Sequence, residues 1–218
     1  MNTIRLYVEV PIASFRVSQA REYWETYLYP PPATVYGMLL SMVGEENRLI
    51  HQGAEIAIAI LTKPEISVVL RSLWRIKDKN KDPGVGNNKK PDFQELLSNI
   101  QVSVWIKKGK TEKPKISLME RVKQAFENPG EIKRFGGLSL GESTHLVNEI
   151  RIWKETDPKK VGLLVKDTKG DLTLPVWVDH VGSKGTRWEQ FKINEDWEGT
   201  EPHVNAWVDI NMEVVNGR

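Results

Sequence analysis

Hydrophobic positions along the chain fall into two periods. Val35, Met38, Leu39, Met42 and Val43 lie at i, i+3, i+4, i+7 and i+8, the spacing of one buried helix face. Pro30, Pro31 and Pro32 lead into this helix. Proline suits a first helical turn, because its missing N–H has no partner there in any case and its fixed φ presets the entry. Ile4 to Val10 reads as a first strand, and Glu55 to Leu61, short, β-branched and bounded by Gly53 and Pro64, as a buried one. Ile66 to Ile76 predicts a further strand, and Ile100 to Lys107 another, with apolar residues at 100, 102, 104 and 106 on one face. Between them, Lys77 to Pro91 is polar, glycine-bearing and proline-bounded, which predicts a mobile loop. Residues 66–78 and 100–108 would form a long β-arm with a basic tip.

A second helix is predicted over Leu118 to Glu127, with Ser117 as its N-cap, a stripe of Leu118, Val122, Ala125 and Phe126, and Pro129-Gly130 closing it. Strand-like runs recur at 145–153, 161–167, 172–178, 186–193 and 204–215. The order strand, helix, strand, strand, helix, strand matches a split βαβ unit for residues 1–150. The expected class is therefore α+β: a ferredoxin-like (RRM-like) N-terminal domain with an inserted β-arm at about 66–108, then a small, mostly-β region at 151–218. Such a sheet leaves one face free, the surface on which RNA-recognition modules bind single strands.

Charge sharpens this picture. Net charge is −2 over residues 1–62, +7 over 63–115, 0 over 116–180 and −3 over 181–218. A polyanion is drawn to the arm far more than to the rest, unless the arm is simply a solvated lysine-rich loop. No cysteine is present, which removes disulfides, thiolate chemistry and cysteine-ligated zinc and fits a reducing compartment. No apolar run approaches the roughly 18 residues of a membrane span, so a soluble, cytoplasmic protein is expected.

Raw material for catalysis is sparse. His51, His145, His180 and His203 show no metal-site spacing, and neither a Gly-x-Ser-x-Gly nor a phosphate-loop pattern occurs. No metal, cofactor or catalytic residue is expected. Metal-free RNA cleavage needs only a base, an acid and a cation, which His145, Tyr36 and a lysine would supply. Binding has better material. Arg16 follows Phe15, and Arg21 lies in a segment holding Tyr23, Trp24, Tyr27 and Tyr29. Arginine forks grip phosphates and aromatic faces stack on splayed bases, although these aromatics would equally pack under a loop. Gly136, Gly137 and Gly141 permit close backbone approach to a phosphate, or a tight turn, and Arg134 adds charge beside them.

Two blocks carry a resemblance. Pro11-Ile12-Ala13-Ser14-Phe15-Arg16, followed by the run from Pro30 to Glu45, closely resembles the "Cas-five" family of CRISPR-associated proteins, and Gly136 to Glu142 looks like that family's glycine-rich segment. The resemblance implies a non-catalytic subunit of a type I CRISPR effector (Cascade) complex that caps the crRNA 5′ handle and touches the backbone subunit, the large subunit and, once assembled, target DNA. It implies that Arg16, Arg21 and Tyr36 hold handle phosphates and bases, that Gly136 to Gly141 meet the RNA backbone, and that the arm is a thumb whose Lys79, Lys81, Lys89 and Lys90 are replaceable phosphate contacts. One branch of the family cuts repeat RNA with an adjacent lysine and histidine, a pair that this chain lacks. A metal-independent endoribonuclease is the alternative, and a free-standing RNA-binding domain a third reading.

Overall fold

The computed structural model describes residues 2–18, 20, 23–157, 162–181, 184–197 and 201–212. Along them run β1 (Thr3–Ala13), β2 (Tyr23–Trp24), α1 (Pro32–Met42), β3 (Glu55–Ile60), β4 (Glu65–Trp74), β5 (Lys89–Lys107), α2 (Leu118–Glu127), β6 (Glu149–Ile152), β7 (Gly162–Lys166), β8 (Leu172–Trp177), β9 (Arg187–Asn194) and β10 (Val208–Asp209). The strands form one sheet in the order β6-β1-β5-β3-β7-β9-β8, with β10 on β3 and β2 and β4 on β5. Neighbours are antiparallel except for β2 and β5. The expected boundary at residue 150 falls inside β6, and β7 continues the same sheet from β3.

Register explains the core. Leu6 faces Val104, Val8 faces Val102, and Ile56 faces Ile106, so the even-numbered residues of β1, β3 and β5 build one buried aliphatic face. Both helices pack there. Helix α1 starts where the prolines predict, with the Thr34 and Val35 N–H groups on the Pro31 carbonyl. It is buried on more than the expected stripe because β8, the last strand of the sheet, packs against it as well as β3. The residues it leaves partly open are Ala33, Thr34, Gly37 and Ser41, small side chains on one line along the helix. Helix α2 keeps its expected cap: the Glu120 N–H donates to Ser117 Oγ (3.3 Å) and the Ser117 N–H to the Glu120 carboxylate (2.7 Å).

Three expectations need correction. The sheet face opposite the helices is not free. Trp105 there is 1% exposed, met edge-on by Trp197 at 5.5 Å, and the Arg5 guanidinium lies 3.3 Å from the Trp153 ring centroid and 4.2 Å from that of Trp105. Arg151 covers the Tyr7 ring at 4.2 Å and grips Asp157 with two hydrogen bonds of 2.6 and 2.7 Å, a pairing that holds the Asp157 carboxyl below its ordinary range. The C-terminal tryptophans thus occupy the platform an RRM would offer to bases.

The arm also has a different second limb. It is Lys89 to Ser98 that pairs with Glu65 to Trp74, whereas residues 100–107 lie in the central sheet between β1 and β3. Its tip is built rather than loose. Asn88, 0% exposed, accepts the Lys77 and Asp78 N–H groups and donates to the carbonyls of Asp78 and Lys81. Finally, of the run expected at 204–215, only Val208–Asp209 is strand among the described residues, preceded by a single 3₁₀ turn at Val204–Ala206. Residues 213–215 lie outside the description.

Candidate nucleic-acid interface

The line of small residues on α1 floors a groove. Three cavities of about 320, 300 and 240 Å³ follow one another along it. The first and second share Thr34, Gly141 and Val178, and the second and third share Gly37, Leu40 and Ser41. Gly37 has nothing within 4 Å of where a Cβ would stand, so the middle of the groove is open. No acidic residue sits in the first turn of α1, whose positive dipole end lies beside the first two cavities. Arg16 stands at one end, Arg48 and His180 beside the middle, and Lys133, Arg134 and Phe135 at the other end.

Arg16 is exposed but held. Its guanidinium lies 4.0 Å from the Trp24 ring centroid and donates to the Ala20 carbonyl at 3.0 Å. Arg71, from β4, approaches the same ring at 5.3 Å and donates to Gln94 and to Glu142 (3.3 Å), while Gln94 donates to Glu142 at 2.7 Å. The turn after β1, the middle of the arm and the glycine-rich segment therefore meet in one network. Arg48 is similarly fixed, over Trp177 at 4.8 Å with a donor on the Val178 carbonyl. Arginines held by stacking lose little freedom on gripping a phosphate.

The glycine-rich segment divides in two. Gly141 has φ +107°, and a Cβ there would come 2.9 Å from the Ser14 carbonyl oxygen. The protein itself uses this close approach. His145 Nδ1 accepts the N–H groups of Ser14 and Glu142, each at 3.1 Å, which ties the segment to the end of β1. With Nδ1 an acceptor of two donors, the ring is the neutral Nε2–H tautomer. Burial pushes its pKa below the usual imidazole value, Arg71 adding to the fall and Glu142 opposing it. The other half projects: Phe135 is 100% exposed, and Gly136, at φ +74°, has open space around it. Arg134 is exposed there, and Gly137 packs on Leu146.

The structure thus brings Arg16, Gly141 and Arg134 to one groove. Tyr36 reaches only its floor. It is 4% exposed, its hydroxyl donates to the Arg48 carbonyl at 2.8 Å and its ring lies against Trp177, burial raising its pKa well above the ordinary phenol value. Lys79, Lys81, Lys89 and Lys90 sit apart at the arm tip, where Lys81 pairs with Asp78 (3.6 Å) and Lys90 with the buried Asp92 (2.8 Å). Arg21 lies outside the described residues. Sequence reasoning missed Arg48, Arg71, His180 and Trp188. Arg48 and Trp188 carry no local motif, and only long-range pairing brings them to the groove. Among the described residues no cluster of three or more metal-ligating side chains occurs, and no helix is long and apolar enough to cross a membrane.

No family model matches the chain. CRISPR-associated protein Cas5 of Myxococcus xanthus (strain DK1622) is 44% identical to it over 193 residues, which span 88% of this chain and 90% of that protein. The chain belongs to the Cas5 family. Among solved structures, a CRISPR RNA-guided surveillance complex matches this Cas5 chain with a TM-score of 0.60 at 12% identity, covering 88% of the chain and 89% of its own. A second, described as a Cas protein, matches with a TM-score of 0.51 at 13% identity over 88% and 93%. At such identities these structures speak for the fold. The M. xanthus relative, nearly coextensive with the chain, speaks for the family.

Proposed function

We propose that this Cas5 chain is the non-catalytic subunit of a type I CRISPR effector (Cascade) complex that binds the 5′ handle of the crRNA. The observation that carries the reading is the groove along α1, where Arg16, the α1 N-terminus, Arg48 and Arg134 follow one another beside the glycine-rich segment. Spaced cations, Arg16 and Arg48 among them pre-positioned, suit a single strand's phosphates, and the open stretch at Gly37 gives the backbone room. The partners are the backbone subunit, the large subunit and, in the assembled complex, target DNA, and the setting is the cytoplasm. The strand order β6-β1-β5-β3, with α1 joining β1 to β3 and α2 joining β5 to β6, supports reading residues 1–150 as ferredoxin-like. On that reading β4 and the first half of β5 are the inserted thumb.

The geometry of His145 supports binding without cleavage. A general base must present a free nitrogen to the 2′-OH, whereas Nδ1 here is engaged by two backbone donors and Nε2 carries the proton.

The test uses the purified chain, labelled repeat-derived RNA and EDTA. The account expects the handle's leading nucleotides to bind tighter than a scrambled strand and the RNA to stay whole. Equal affinity for both strands contradicts the binding reading. Specific cleavage that disappears in His145→Ala contradicts the non-catalytic one.

A further inference from the structure

At the C-terminal end of α1, the turn that follows it and α2 share a buried ionic network that strand binding does not use. The His51 and Glu112 side chains are 1% and 0% exposed, with His51 Nδ1 2.8 Å from Glu112 Oε1. That oxygen also accepts the Leu118 N–H at the start of α2 (2.6 Å). On the other side of the ring, Arg121 Nη1 lies 3.3 Å from His51 Nε2. A guanidinium only donates, so Nε2 is the acceptor and the Nδ1–H donates to the carboxylate. The same Nη1 donates to Glu45, and Nη2 to the Val43 carbonyl (2.9 Å). Through its other oxygen Glu45 accepts the Asn47 N–H at 2.9 Å. One guanidinium on α2 therefore holds both sides of a short stretch, by way of Glu45 to Asn47 on one and directly to His51 on the other. Between those two anchors lies Arg48, which lines the middle of the groove.

Stability alone does not call for such a network. Charged groups taken out of water gain little over apolar side chains of the same volume, and Glu112 Oε2 is buried with no hydrogen-bond partner among the described residues. What directional contacts between charged groups do supply is a fixed place for the backbone they hold. We propose that Arg121, acting with Glu45 and His51, is a positioning residue for Arg48. The network sets where the Arg48 guanidinium meets the Trp177 ring and the Val178 carbonyl, so that its fork is oriented before a strand arrives. Arg121 itself lines none of the groove's three cavities. Without it the turn loosens, and Arg48 must give up on contact the rotamer freedom that folding had already removed. The inference rests on the RNA-binding reading for what Arg48 grips, whereas the coupling of α2 to Arg48 is a property of the free protein.

The experiment has two arms, and thermal melts confirm that each variant is folded. In the free protein, heteronuclear NMR follows the Trp177 indole N–H, assigned by its loss in Trp177→Phe, as a reporter of the guanidinium 4.8 Å from that ring centroid. Arg121→Gln should move this resonance towards its position in Arg48→Ala. Glu45→Ala, which removes one anchor and leaves the buried His51–Glu112 pair intact, should move it the same way. In the second arm, anisotropy with single-stranded handle RNA should show a loss of about 10-fold for Arg48→Ala and about 5-fold for Arg121→Gln. The double variant should bind within about 2-fold of Arg48→Ala, because both changes act through one contact. A Trp177 resonance that stays put in both Arg121→Gln and Glu45→Ala overturns the positioning role whether or not RNA binds, and so do losses that multiply in the double variant. A resonance that moves while Arg48→Ala binds RNA like wild type upholds the coupling and removes Arg48 from the RNA-binding reading.

Discussion

The groove along α1 and the tip of the β4–β5 arm both carry positive charge, but they hold it in different ways. In the groove two of the cations are fixed: Arg16 lies over Trp24, and Arg48 over Trp177 with a donor on a backbone carbonyl. At the tip the lysines are many. Lys79, Lys81 and Lys89 are exposed, and two of the tip's four candidate lysines already face aspartates. On the proposed function, local charge density, which points to the arm, is a poor guide to where a strand is gripped. What counts there is how much freedom a cation must still lose on contact, and Arg16 and Arg48 have lost most of theirs in folding.

Four experiments press on this contrast. The largest effect falls on the groove's scaffold. Gly141→Ala forces a side chain into a glycine-only conformation against the Ser14 carbonyl, at a cost of about 2 kcal/mol. Gly136→Ala, at φ +74° in open space, costs about 1 kcal/mol. Urea titrations of the two variants should separate by that difference, and coincident curves would mean the tie to β1 is loose. Next, Arg16→Ala should weaken handle RNA binding about 10-fold, a loss of about 1.4 kcal/mol.

The third concerns pH. Because the folded His145 has a lowered pKa, the unfolded chain binds its proton more readily. Its contribution is complete above the ordinary imidazole value of about 6.5 and is lost as pH falls below that towards the folded value. Melting temperature should then drop more between pH 7.5 and 5.5 for wild type than for His145→Gln, whereas parallel profiles would refute the assignment. The smallest effect is at the tip. Lys89→Ala should change affinity less than about 2-fold and flatten the salt dependence by about 0.7 in log–log slope. If Lys89→Ala matches Arg16→Ala in a salt titration, the ranking of the two regions is wrong.

What the sequence disclosed follows the same division between local and long-range causes. The start of α1 and the cap of α2 were readable because Pro31, Pro32, Ser117 and Glu120 act within one turn of themselves. The arm's second limb was not. Lys89 to Ser98 contains Pro91 and inverts the usual pattern, burying Asp92 and Gln94 while Phe93 stays half exposed beside Tyr23. Hydrophobic periodicity places such a segment in a loop. Similarly, Trp105 on a strand gave no sign that Trp153 and Trp197, some 50 and 90 residues on, would close over its face. Of the site, Arg16, Gly141 and Arg134 were legible as types and as a resemblance. The groove that joins them was not, since it exists only where β8 comes to rest against α1. Tyr36 is the reverse case: a motif residue that the resemblance offers as a contact and that the structure buries in the groove floor.

Hydrogen exchange of the chain with and without the crRNA 5′ handle tests the central claim most directly. The account predicts protection at residues 14–16, 32–41, 139–142 and 176–180, the walls of the groove, with the arm tip at 77–90 changing less. Protection confined to the arm tip, or spread evenly over the basic surface, would contradict it.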